Sequence, residues 1–69
     1  MINKIKEERK RLNLTQDELA KKVGVSRQSI NAIETGKYNP SVILALKLSE
    51  MFDKSVNELF ELSKEDRSK

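Results

Sequence analysis

The stretch TQDELAKKVGVSRQSINAIETGKYNP, residues 15–40, decides the fold. Its apolar residues recur at helical rather than alternating spacing, in two short runs on either side of Gly24-Val25. The first run opens on Thr15-Gln16-Asp17-Glu18, a capping box. The threonine side chain accepts from the backbone N–H three residues on, and Glu18 reaches back to the backbone N–H of Thr15. Leu19, Ala20 and Val23 then share one face, and Gly24 supplies the left-handed stop. The second run takes Ser26 as N-cap, carries Ile30 and Ile33 on its inner face, and stops at Gly36. Two helices that cross steeply need a small side chain at their contact, and Ala20, four positions before Gly24, provides it. Val23, Val25, Ile30 and Ile33 close the corner.

Working outward, the same spacing predicts five helices in all. The first runs from about Asn3 to Leu12, with Ile2, Ile5, Arg9 and Leu12 on one face and Asn13 as its stop. After the loop GKYNP, Ser41 caps a fourth helix over Val42 to Phe52. A second capping box, Ser55-Val56-Asn57-Glu58, starts a short fifth helix ending near Phe60. The expected architecture is all-α. One domain spans residues 1–62, and the polar segment 63–69 is expected to be a frayed tail. MINKI and LFELS can alternatively be read as a short β pairing of the two termini.

The outward face of the third helix is Arg27, Gln28, Asn31, Ala32 and Thr35. A helix with a purely structural task usually shows Glu/Lys pairs there. Arg and Gln instead pair bidentately with guanine and adenine edges in the major groove, and a small Ala leaves room for a base or touches a thymine methyl. The N-termini of the second and third helices offer backbone N–H groups to phosphates. Charge is distributed accordingly. Residues 1–40 hold nine Lys/Arg against five Asp/Glu, whereas residues 41–69 hold five against six.

These residues resemble the lambda-repressor/Cro-type helix-turn-helix domain, the XRE family. The pattern TQxELAxxxGVSxxxIxxIExGxxxPS is present throughout residues 15–41, and the likeness extends over residues 3–60. VSRQSINAIETGKYNPS in so short a chain is most similar to the compact stand-alone regulators of the family. The resemblance implies a five-helix bundle whose third helix is the recognition helix. It implies that Arg27 and Gln28 reach base edges, with Asn31 and Ala32 as further candidates. It implies phosphate contacts by Gln16, through its side chain and backbone, and by Ser26, Lys37, Tyr38 and Asn39. It also implies a pairing of Arg9 with Glu34. The residues agree on that last point, because Arg9 interrupts the apolar face of the first helix and a charge there is costly unless paired.

The fourth helix carries more apolar residues than one face holds. Val42, Ala45, Leu46, Leu48 and Phe52 are expected to face inward. Ile43, Leu44 and Met51, with Leu59, Phe60 and Leu62, are then expected to form a homodimer interface.

Composition narrows the function. At 69 residues, with no Cys and no His, the chain has no thiolate metal site, no disulfide and no nucleophile–base pair, so an enzyme is not expected. No cofactor, metal or small-molecule ligand is expected. The longest apolar run, VILAL at residues 42–46, is far short of a membrane span, and the charged N-terminus is unlike a signal peptide. The expectation is a cytoplasmic, prokaryotic or phage-encoded transcriptional regulator acting as a repressor. It would bind double-stranded DNA as a homodimer on an inverted repeat. The alternative is an antitoxin-like or other protein-interaction module on the same fold.

Overall fold

The computed structural model describes residues 1–68. The element order is β1 (Ile2–Asn3), α1 (Ile5–Arg11), α2 (Gln16–Val23), α3 (Arg27–Glu34), α4 (Val42–Phe52), α5 (Val56–Leu59), β2 (Phe60–Glu61) and α6 (Lys64–Arg67). The fold is a lambda-repressor-like helical bundle with a short two-stranded sheet.

Each boundary has a local cause. The Thr15 and Ser55 capping boxes form as expected at α2 and α5, and Ser26 and Ser41 cap α3 and α4 through their hydroxyls. The helices α1 to α4 each run out into a residue with positive φ: Asn13, Gly24, Gly36 and Asp53. The N–H groups of the following residues return to carbonyls five positions back. Val25 donates to Ala20, Lys37 to Ala32, Leu14 to Arg9 and Lys54 to Ser49. These are Schellman stops, in which only the left-handed residue lets the chain double back.

The core is built from Ile5, Leu19, Ala20, Val23, Ile30, Ile33, Leu44, Leu48, Phe52, Leu59 and Phe60. It draws on every helix from α1 to α5, and α2 packs on both α3 and α4. Burying side chains of this size stabilises the fold by roughly 1.5–3 kcal/mol each for the large aliphatics and Phe.

The structure corrects the sequence reading in three places. The first helix begins at Ile5, because Ile2–Asn3 pairs antiparallel with Phe60–Glu61 in register Ile2↔Glu61 and Asn3↔Phe60. Asn3 turns the strand into the helix: its Oδ1 accepts from the Ile5 N–H and its Nδ2 donates to the Ile33 carbonyl. Second, the segment expected to fray contains the helical turn α6. Ser63 caps it through a box closed by Asp66, a Ser-x-x-Asp signal that the sequence itself carries. Of that segment, Lys69 lies outside the described residues.

Third, the faces of α4 are assigned differently. Leu44, Leu48 and Phe52 face the core, whereas Val42, Ile43 and Leu46 are 76%, 69% and 53% exposed. Leu44, Leu59 and Phe60 therefore belong to the protomer core and have almost no surface to give an interface. Of the six residues expected there, Ile43 and Leu62 are exposed and Met51 is half-buried. Leu44 and Leu48 lie one turn apart on the stripe buried in the core. That orientation turns Val42 and Leu46, two residues away from Leu44 on either side, toward solvent.

Candidate nucleic-acid interface

The corner between α2 and α3 sets what the outer face of α3 presents. Ile30 and Ile33 are fully buried, so the opposite face of α3 is forced outward. Arg27, Gln28 and Asn31 are exposed there, and Ala32 is half-buried beside them. None of the side-chain polar atoms of Arg27 or Gln28 is held by a hydrogen bond or ion pair within the protein among the described residues, so both side chains extend freely. The N–H groups of Arg27 and Gln28 precede the first intrahelical bonds of α3 and point out of its N-terminus.

Ser26, which the resemblance implies as a phosphate contact, also caps α3. Its Oγ accepts from the Ser29 N–H at 3.1 Å and lies 3.0 Å from the Ser29 hydroxyl, so it is engaged in capping. Lys37, Tyr38 and Asn39 are all exposed, on the loop that leaves the C-terminal end of α3. Gly36 sets the direction of that loop. At φ +78° a side chain would be strained even though the space around it is open.

Behind the exposed face lies a polar network. Arg9 Nε donates to Glu34 Oε2 at 2.7 Å, and its second terminal nitrogen donates to Glu34 Oε1 at 3.1 Å. The remaining terminal nitrogen donates to the Leu14 carbonyl at 2.8 Å. The pair is buried, with side chains 11% and 3% exposed. The hydrogen bond to Glu34 raises the Arg9 pKa, against the opposing effect of burial. The fork ties the end of α1, the α1–α2 turn and the end of α3 to one another, geometry that a guanidinium provides and an ammonium does not.

Gln16 extends this network to the surface. Its Nε2 donates to Glu34 Oε1 at 3.2 Å and to Asn31 Oδ1 at 3.1 Å. The sequence reading did not anticipate this contact. Its signal was a polar residue at the first position of α2 facing a polar residue one turn before Glu34, but the helix crossing needed to see it is absent from any one-dimensional pattern.

A family model described as helix-turn-helix matches residues 5–59. The chain belongs to the XRE-type helix-turn-helix family. It is 53% identical over 60 residues to an HTH-type transcriptional regulator of the archaeon Methanocaldococcus jannaschii, covering 87% of this chain and 91% of that one. It is 44% identical over 66 residues to the HTH-type regulator YgzD of Bacillus subtilis, covering 96% and 100%. Among solved structures, the restriction-modification controller protein C.AhdI of Aeromonas hydrophila superposes with a TM-score of 0.75 at 33% identity, covering 83% and 86%. The N-terminal DNA-binding domain of SinR from Bacillus subtilis gives 0.75 at 34% identity, covering 88% and 90%. A SinR–SinI complex gives 0.78 at 33%, covering 99% of this chain and 73% of that one. This helix-turn-helix protein is thus a DNA-binding transcriptional regulator and not an enzyme. No helix among its described residues is long and apolar enough to cross a membrane.

Proposed function

We propose that this regulator reads an inverted-repeat operator as a homodimer and represses by occupying DNA that polymerase needs. The reading is carried by one observation: Arg27, Gln28 and Asn31 on the outer face of α3 are exposed, and an exposed apolar patch of Val42, Ile43 and Leu46 begins directly after the loop leaving that helix. Patches of this kind mark association sites when contiguous. A twofold axis through the patch would set two recognition helices on one side of the dimer. They would enter successive major grooves about 34 Å apart. Met51 and Leu62 are peripheral candidates for the same contact.

In this arrangement Arg27 and Gln28 read base edges, with Asn31 and Ala32 one turn further into the groove. The backbone N–H of Gln16, together with Lys37, Tyr38 and Asn39, holds flanking phosphates, which supply affinity and salt dependence without sequence information. Ser26 contributes through the helix start that it caps. Cytoplasmic action on DNA follows from this role.

The test is a titration against duplexes selected from a random pool, at two salt concentrations, with sedimentation in parallel. The expected result is an inverted repeat whose preference over random duplex collapses in Arg27→Ala and Gln28→Ala. Ile43→Asp should sediment as a monomer and bind the operator weakly. A wild type that binds with salt sensitivity alone would remove the operator reading. A second reading, in which the apolar patch holds a different protein, draws on the SinR–SinI complex among the similar structures. It gains ground if the chain is monomeric with the patch intact.

A further inference from the structure

The contacts of Gln16 determine which way the amide of Asn31 faces. Glu34 bears a carboxylate, which only accepts hydrogen bonds, so the end of Gln16 lying 3.2 Å from Oε1 must be its NH2 group. The other hydrogen of that group points 3.1 Å to Asn31, so the Asn31 atom there must be Oδ1. The Asn31 Nδ2 then faces away, with no protein partner among the described residues, on an exposed position of α3. Amide orientations are usually ambiguous, and here an acceptor-only group settles two in succession.

The orientation is also locked. If Asn31 turned over, its NH2 would meet the NH2 of Gln16. Gln16 would have to turn as well, bringing its own Oε1 against the Glu34 carboxylate. That carboxylate is itself held by two donors of Arg9. The lock therefore runs from a buried ion pair, through Gln16, to the recognition face.

We infer that Gln16 is a positioning residue that fixes Asn31 with its NH2 group leading into the major groove, so that Asn31 excludes cytosine from the base it faces. Guanine offers N7 and O6, adenine N7, and thymine O4, all acceptors for that NH2. Cytosine offers only the N4 amine, a donor, and a donor set against a donor leaves both unpaired. An unrestrained asparagine would turn over and accept from N4. On this account the side chain of Gln16 is committed within the protein, and Gln16 meets phosphate through its backbone N–H. The inference deepens the operator reading proposed above and rests on it.

Two measurements separate the inference from that reading. In the first, each base pair of one operator half-site is replaced in turn, and the position read by Asn31 is the one to which Asn31→Ala becomes indifferent. Cytosine there should weaken wild-type binding about tenfold relative to the best base. Gln16→Ala, which frees Asn31 to turn, should admit cytosine to within about twofold while keeping the preferences set by Arg27 and Gln28. A simple loss of stability would weaken all duplexes alike. The inference is overturned if wild type accepts cytosine, or if Gln16→Ala keeps the penalty.

In the second, made without DNA, NMR on the free chain should show the Gln16 side-chain NH2 protons exchanging with solvent more slowly than those of Asn31. Equal exchange of the two groups overturns the inference even if an operator is found. Slow Gln16 exchange with no preferred sequence sinks the operator reading, and with it the exclusion of cytosine, while the amide lock stands.

Discussion

The corner formed by α2 and α3 and the single helix α4 use similar apolar residues in opposite ways. In the corner, Leu19, Ala20, Val23, Ile30 and Ile33 are all buried, Val25 packs half-buried against them, and the other residues between them are polar or small. Pattern and geometry coincide. In α4, VILALKLSEMF offers more apolar residues than its one packed face accepts, and three remain in water. The difference teaches that a strict amphipathic pattern assigns its own faces, whereas an oversupplied one leaves the choice to the neighbouring helices. It also separates two uses of apolar side chains, one for holding the fold and one for meeting another surface.

The sharpest way to break this comparison is to truncate neighbours in α4. Leu48→Ala, at a fully buried position, should lower stability by about 3 kcal/mol in urea unfolding, as the cavity cannot collapse fully. Leu46→Ala, two residues earlier, should change it by less than about 0.5 kcal/mol at a concentration where the chain sediments as a monomer. Equal losses would mean that the two faces of α4 are assigned wrongly.

Next in size is the ion pair that backs the corner. Glu34→Ala should cost roughly 3 kcal/mol, because it strands the buried Arg9 guanidinium with only the Leu14 carbonyl. Arg9→Lys should recover part of the pairing but not the fork, and so fall between wild type and Glu34→Ala.

The caps give a smaller and more even effect. Ser26→Ala and Ser41→Ala should each cost about 1 kcal/mol, one in the corner and one at the start of α4. If Ser26→Ala costs far more, capping is coupled to the packing of the corner.

Acid should act through the capping boxes, those of α2 and α5 among them. Hydrogen bonds from the backbone N–H of Thr15 and Ser55 hold the Glu18 and Glu58 carboxyls below the usual carboxylate range. Because the folded-state values are depressed, this stabilisation is present above the ordinary carboxylate pKa of about 4 and is lost as pH falls through the lower folded values. Tm should be nearly flat from neutral pH to about 5 and then decline. A Glu18→Gln/Glu58→Gln variant should decline less steeply over the same acid range.

Much of this was legible in the chain itself. The boundaries of α2 and α4 and the caps at Thr15, Ser26, Ser41 and Ser55 follow from local chemistry, which sequence records directly, whereas the partnership of Arg9 with Glu34 is implied by the family resemblance, with which the cost of a lone charge on the apolar face of α1 agrees. The short pairing of the termini was open to the sequence only as an alternative reading of MINKI and LFELS. What escaped has physical reasons. Asp53 stops α4 in a left-handed conformation that glycine would signal and aspartate does not. The faces of α4 depend on where α2 lies. The burial of Leu59 and Phe60 depends on strand β2 closing over the core from the far end of the chain. Within the site, exposure at Arg27 and Gln28 was readable from the burial of Ile30 and Ile33. The Gln16–Asn31 contact arises from a crossing of two helices and has no linear signature.

The fork of Arg9 has a thermodynamic consequence. By joining α1, the following turn and the end of α3 through three hydrogen bonds, it holds α3, the helix proposed above to read DNA, in place before any DNA arrives. Little backbone order is then left to be acquired on association. The entropy lost on binding should come from the free ends of Arg27 and Gln28 and from the loop at Lys37 to Asn39, and the heat-capacity change should match the surface covered, with no added contribution from a helix that forms on contact.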